Sequence, residues 1–282
     1  MVGVLGVSAS AILVRFSQAP SGVTAAYRLG WTVLLLLPVV LLRCRAELRR
    51  VTARDLVLCG ASGVLLALHF LTWFESLKRT SVASSTVLVS TEVIFTALGF
   101  ALFLHGKIPR LGVWAILLAF GGSALLALSG GGGAGELSGN LLALAAASAA
   151  AVYTLIGRIQ RGHLSTTVYT FLTYLACFLT LLLGTAAAGT PLTGYGGREW
   201  LIGLALAVLC TLLGHSLFSW CLKYLSPSYV SAAKLCEPVF SSLAAIPLFG
   251  EVPGPLQLAG GAAVLGAVLL YTWAERGKTP AG

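Results

Sequence analysis

The 282-residue sequence predicts an all-α polytopic membrane protein, ten transmembrane helices arranged as two inverted five-helix repeats. Three observations lead there: a composition too apolar for water, ten long apolar runs, and a self-match between the two halves. Hydrophobic residues make up 57% of the chain and Asp, Glu, Lys and Arg only 10%, against roughly 25% charged residues in an ordinary globular protein. That is too little polar surface to cover a soluble domain of this size. A bilayer removes the need, because lipid solvates apolar side chains directly.

A membrane-spanning helix uses about 20 apolar residues. Ten runs meet that requirement approximately: 2–16, 23–42, 56–77, 81–104, 111–129, 137–157, 166–188, 200–222, 228–249 and 255–273. The first is short. No basic segment precedes the apolar start, so no cleaved signal peptide is expected. Between runs five and six lies a Gly-rich linker, 131–135, which divides the chain into a first repeat, 1–130, and a second, 136–275, followed by a tail, 276–282.

Displacing the chain on itself by 145 residues aligns Leu77, Lys78 and Ser81 with Leu222, Lys223 and Ser226, and Glu92, Phe95 and Leu98 with Glu237, Phe240 and Leu243. Leucine matches are cheap here, but a midspan Glu recurring in register with a loop Lys is not. Five spans per repeat is an odd number, so the second repeat enters the membrane upside down relative to the first. Loop charges set the orientation. With the N-terminus inside, twelve Lys and Arg residues lie on the cytoplasmic side and four, Arg15, Lys78, Arg79 and Arg198, on the other. The positive-inside rule therefore puts both termini in the cytoplasm, as in a bacterial-type inner (plasma) membrane.

The net charge of +9 is spread singly or in pairs between apolar runs. Nucleic-acid binding needs basic residues concentrated on one face, so no nucleic-acid partner is expected. The six cysteines have no C-x-x-C spacing, and no cofactor or metal is expected of them. No phosphate-binding loop suggests nucleotide hydrolysis.

Charged groups inside the spans need a reason, since each costs about 2.5–3.5 kcal/mol at the bilayer centre. Glu92 lies midway along span four and Glu237 near the middle of span nine, with Lys234 three positions earlier on the same helical face. Two readings are open for this trio: a static ion pair bracing the halves, or the lining of a transport pathway. Ser85 on span four and Ser231 on span nine extend the polar stripes. His69 with Trp73 on span three and His215 on span eight face similar depths, and Tyr27 adds an aromatic wall. Trp220 and Tyr224 suit either that wall or the interfacial belt. Arg28, about a turn and a half inside the boundary, is expected to snorkel to the surface. Pro238 removes a helix hydrogen bond beside Glu237, which suits a kink or hinge. The glycine pairs Gly121–Gly122 and Gly260–Gly261 mark spans five and ten as packing surfaces, or as the contact of a weak dimer in a chain otherwise monomeric.

The passage Phe249-Gly250-Glu251, followed by Pro255, Gln257 and Gly260-Gly261, resembles the turn between the last two spans of each repeat in the drug/metabolite transporter superfamily, in its ten-span EamA-type branch. Glu237-Pro238 fits the midspan proline of that family. The first repeat departs from the pattern: Leu104-His105-Gly106 lacks the acid, and Val93 replaces the proline. Ala26-Tyr27-Arg28, His69, Trp73 and the Glu92 passage are most similar to the YddG-type exporters of aromatic amino acids. The resemblance implies a secondary transporter, not an enzyme, that exports amino acids and related small metabolites by alternating access around a midplane cavity lined by spans three, four, eight and nine. In such a cavity Glu92 or Glu237 would meet a substrate ammonium and Lys234 its carboxylate. Carriers of other cargo, such as lipophilic cations, other drugs or nucleotide sugars, share the same fold. A remoter reading rests on Gly60-Ala61-Ser62-Gly63, the string of intramembrane serine proteases, which would need His215 as base.

Overall fold

The computed structural model describes residues 2–103, 109–129, 134–225, 227, 230, 234 and 236–276, which form helices joined by turns and irregular connections, with no strand among them. The first half of the chain supplies α1 (Val2–Phe16), α2 (Ser21–Arg43), the short α3 (Arg45–Leu48), α4 (Ala53–Arg79), α5 (Val82–Val89), α6 (Glu92–Phe103) and α7 (Arg110–Ser129). The second supplies α8 (Ala134–Gln160), α9 (Thr166–Ala187), α10 (Gly197–Ala205), a π-helical segment (Leu206–His215), α11 (Ser216–Cys221), α12 (Cys236–Phe249) and α13 (Pro255–Arg276). Seven stretches are long and apolar enough to cross a membrane, and three shorter apolar helices, Gly6–Phe16, Arg110–Leu126 and Glu237–Phe249, accompany them. Gly130, most of the linker, residues 131–133, and most of the tail, 277–282, lie outside the described residues, as do residues 104–108 and Ser231.

The burial pattern is that of a membrane protein. Arg28 is 0% exposed while Leu42 is 83%, Leu128 76% and Leu183 72% exposed. In water that distribution would be ruinous, since large apolar side chains would be wetted and a cation stripped of its hydration. In lipid it is the stable arrangement, and the chain is a multi-pass membrane protein.

Helix ends follow local chemistry. Thr52 and Asp55 form a reciprocal capping box at the start of α4, the Asp55 amide donating to Thr52 Oγ1 at 3.2 Å and the Thr52 amide to Asp55 Oδ2 at 3.0 Å. Ser81 caps α5 and Ser165 caps α9 by a single bond each, their hydroxyls accepting from the Ser84 and Val168 amides.

Two helices depart from the continuous spans the sequence predicts. Span four breaks at Ser90–Thr91 into α5 and α6. Three hydroxyls back-bond to the preceding turn there, Thr86 to the Val82 carbonyl (2.7 Å), Ser90 to Thr86 (2.9 Å) and Thr91 to Leu88 (2.6 Å), and such competition bends or interrupts helices. Span eight widens into the π-helical segment, where the Thr211 hydroxyl donates to the Leu206 carbonyl five residues back at 3.3 Å and Ser216 to Thr211 at 3.2 Å. π-turns recur at functional sites because they re-aim side chains.

The core is centred on α4, with Leu66, Phe70, Phe74 and Leu77 packed among Tyr169, Tyr174 and Leu181 of α9. Close approach of α4 to α9 depends on Gly63, where a Cβ would lie 2.5 Å from Ala176 Cβ and 2.6 Å from the Thr173 carbonyl oxygen. Gly122 on α7 and Gly260 on α13 meet in the same way, each Cβ position lying 2.9 Å from the other's carbonyl. The glycines of spans five and ten are thus used within one chain, while Gly121 faces open space.

One end of the bundle is stitched between the two halves of the chain. Arg15 donates to Glu251 and to the Leu77 carbonyl, and Glu251 accepts from the Val82 amide at 2.8 Å. Ser17 and the Gln18 amide bond Glu199 at 2.6 and 3.0 Å, and Thr80 donates to Asn140 at 2.9 Å.

Gly63→Ala is expected to lower stability by about 1–3 kcal/mol through overpacking. Gly60→Ala, whose Cβ meets nothing within 4 Å, should stay within about 0.5 kcal/mol of the parent. Thermal melting of both in one detergent, followed by size-exclusion recovery, checks the pair.

Candidate functional site

Eight segments meet at one buried point. Val7 and Ser10 of α1, Arg28 of α2, His69 and Trp73 of α4, Val89 and Ser90 at the α5–α6 break, Glu92 of α6, His215 at the end of the π-helical segment, Lys234, and Glu237 of α12 enclose a cavity of about 30 Å³. That volume holds one or two waters. It falls far short of the roughly 300–1,000 Å³ of small-molecule sites, so an organic substrate enters only after helices separate.

The break in span four makes Glu92 the first residue of α6. Its carboxylate therefore sits at a positive helix end, which favours an anion. Lys234 donates to Glu92 Oε1 at 3.1 Å and Oε2 at 2.9 Å, and Thr154 of α8 donates to Oε1 at 2.9 Å. The ammonium also lies 5.4 Å from the Phe218 ring centroid. This ion pair joins the two halves of the chain in a place where water contributes little screening.

Glu237 is 7% exposed and makes no hydrogen bond or ion pair among the described residues. Pro238 follows Glu237 directly within α12, described from Cys236 to Phe249.

His69 Nδ1 lies 3.0 Å from the Ala146 carbonyl oxygen, and since a carbonyl only accepts, Nδ1 carries the proton in this contact. The ring stacks on Trp73 at 5.8 Å and meets His215 edge-on at 6.4 Å. Trp73 Nε1 is buried without a partner.

Several predicted residues lie elsewhere. Ser85 is buried against Ser76, their oxygens 2.8 Å apart, and ties α5 to α4 away from the cavity. Tyr27 stacks on Trp200 at 4.0 Å and donates to the Leu192 carbonyl, in an apolar groove lined also by Trp31 and Phe178. Trp220 and Tyr224 are 49% and 61% exposed and belong to the outer surface. Ser231 falls outside the described residues. Ser62 is fully buried with its oxygen 3.0 Å from the Tyr169 hydroxyl. Its partner is a phenol and not a histidine.

Arg28 is the main residue that sequence reasoning misplaced. It does not snorkel; it is fully buried in the centre of the bundle. Its depth in span two was the available signal. Thr154, Ser10 and Thr211 carried no such signal, being common small hydroxyl residues within apolar runs.

Stability tests the ion pair directly. Lys234→Met strands a buried carboxylate and is expected to cost about 3–5 kcal/mol, most of it recovered when Glu92→Gln is added. A single variant as stable as the parent would show that the pair is fully solvated.

Comparison with known proteins gives a consistent picture. The sequence profile of the EamA-like transporter family matches residues 1–128 and 137–273. The chain is similar to the pseudopaline exporter CntI of Pseudomonas aeruginosa strain UCBPP-PA14, 24% identical over 215 residues, 76% of this chain and 74% of that protein. It is also similar to a probable terminal-alkyne amino-acid exporter of Streptantibioticus cattleyicolor, 28% identical over 241 residues, 82% and 77% of the two chains. A protein of known crystal structure, at 18% identity, shares the fold with a TM-score of 0.69 over 96% of this chain and 94% of that one.

Proposed function

We propose, from the premise that this chain belongs to the EamA-like transporter family, that it is a secondary exporter of amino acids, aromatic or hydrophobic ones foremost, and of related small metabolites. The observation that carries this reading is the buried cavity in which two acids, Glu92 and Glu237, and two bases, Arg28 and Lys234, converge beside Trp73 and two histidines. A zwitterion with an apolar side chain complements that lining. The names of the two relatives, an amino-acid exporter and a pseudopaline exporter, favour export of a molecule of this class over import.

The architecture that suits the reading is ten spans in two inverted repeats with both termini in the cytoplasm of a bacterial inner membrane. In that orientation Arg15, Glu251, Ser17 and Glu199 form the outer closure, and alternating access consists of opening these contacts while the cytoplasmic side closes. The Glu92–Lys234 pair joins the repeats at the pivot. No nucleotide is needed for such a cycle, since the substrate gradient or an ion gradient drives it. The chain works as a monomer or as a weak dimer through its peripheral spans.

Proteoliposomes loaded with L-phenylalanine should take up radiolabelled L-phenylalanine by counterflow, and Glu237→Gln should reduce the rate at least tenfold with the protein still monodisperse. Competition by lipophilic cations or nucleotide sugars, with no amino acid in the panel competing, would overturn the assignment of cargo.

A further inference from the structure

Arg28 has an arrangement that a structural arginine lacks. Its Nε donates to Thr211 Oγ1 at 2.7 Å, its Nη1 donates to Ser10 Oγ at 3.1 Å, and its guanidinium lies over the Phe70 ring at 4.2 Å from the centroid. All three partners are neutral. They fix the orientation of the group and leave its charge in place. Nη2 is buried with no partner, and among the described residues no carboxylate forms an ion pair with the guanidinium. Burying a cation without a counter-ion is costly, and the side chain lines the cavity described above.

The other charges in the cavity limit what can complete it. Lys234 is already bound to both oxygens of Glu92, so it has no unopposed charge for a substrate anion. Arg28 therefore contributes to the same small space one positive charge, and Glu237 one carboxyl, that no direct ion pair among the described residues engages. A phosphate dianion would bring more negative charge than Arg28 balances and would face Glu237 as well. A monoanionic carboxylate matches the planar fork of a guanidinium whose Nη2 and second Nη1 hydrogen remain available. Trp73 Nε1, also buried without a partner, adds a neutral donor at the same lining.

We infer that Arg28 is the anchor for the substrate's α-carboxylate, with Glu237 opposite for its ammonium, so that the cavity selects free α-amino acids over their amides, esters and decarboxylated amines. This rests on the central cavity being the transport site, and it deepens that reading by moving the carboxylate from Lys234 to Arg28. Thr211 sits in the π-helical segment, so the irregular turn has a role here: it presents the hydroxyl that aims the guanidinium.

The test uses reconstituted full-length protein and two competitors of L-phenylalanine counterflow, unlabelled L-phenylalanine and L-phenylalaninamide, which keeps the ammonium and the ring. In the parent protein the amide should compete at least tenfold more weakly, the order expected for a hydrogen bond to a charged group. In Arg28→Gln the half-saturation for phenylalanine should rise at least tenfold and the two competitors should converge to within about threefold, while Arg28→Lys restores part of the preference. Equal competition in the parent, or an unchanged preference in a monodisperse Arg28→Gln, overturns the inference while leaving amino-acid transport intact. If Arg28→Gln is not monodisperse, Thr211→Val decides: a preference reduced at least threefold supports the anchor and an unchanged one refutes it. Absence of counterflow for every amino acid in the parent refutes the transport reading and the anchor with it.

Discussion

Removing a charge from water into hydrocarbon costs several kcal/mol even after relaxation, and this constraint organises the whole molecule. Arg28, Glu92 and the Lys234–Glu237 stretch lie far apart in the sequence, yet all line one small cavity. None of them is tolerable on the lipid face. The helices must therefore pack so that these side chains look inward, and the lipid-facing surface is left to residues such as Leu117, Leu183 and Leu269. In a soluble protein the apolar core decides packing and the polar groups follow. Here the polar groups decide, because apolar side chains gain little by leaving lipid for protein.

The same constraint accounts for where the backbone is irregular. The break between α5 and α6 lies next to Glu92, the first residue of α6. The π-helical segment brings Thr211 to Arg28. Each irregularity lies beside a charge. Non-helical backbone at membrane depth survives only where it is buried in protein or borders a wet cavity, and these two irregularities sit around one cavity. Regular helices form the periphery, where α7 and α13 meet through Gly122 and Gly260 without a charged residue at the contact.

Much of this was legible in the sequence. The apolar runs located the helices to within a few residues, because hydropathy reports directly on the requirement to cross lipid. Glu92, Lys234 and Glu237 stood out for the same reason, as did His69, Trp73 and His215. What was not legible depends on side-chain direction and helix continuity. Ser85 and Tyr27 occupy helical positions compatible with the cavity, but the break after Val89 and the stacking of Tyr27 on Trp200 turn them away. Arg28 was read as a snorkelling residue because its distance from the span end permits that. Only the hydroxyls of Ser10 and Thr211 and the ring of Phe70, from three other elements, hold it inside. Such long-range partners leave no local pattern. The π-helical segment likewise has the composition of an ordinary apolar helix.

The central claim is that these charges surround an internal space which water reaches during the working cycle. Thiol accessibility measures that property most directly. In a background with the six native cysteines replaced, Ser90→Cys at the cavity wall and Leu117→Cys on the lipid face are exposed in proteoliposomes to a charged, water-soluble methanethiosulfonate, with and without phenylalanine. The account predicts labelling at position 90, slowed by phenylalanine, and none at 117, where no water is available to form the thiolate. Equal inertness at both positions, or labelling at 117 alone, would contradict it.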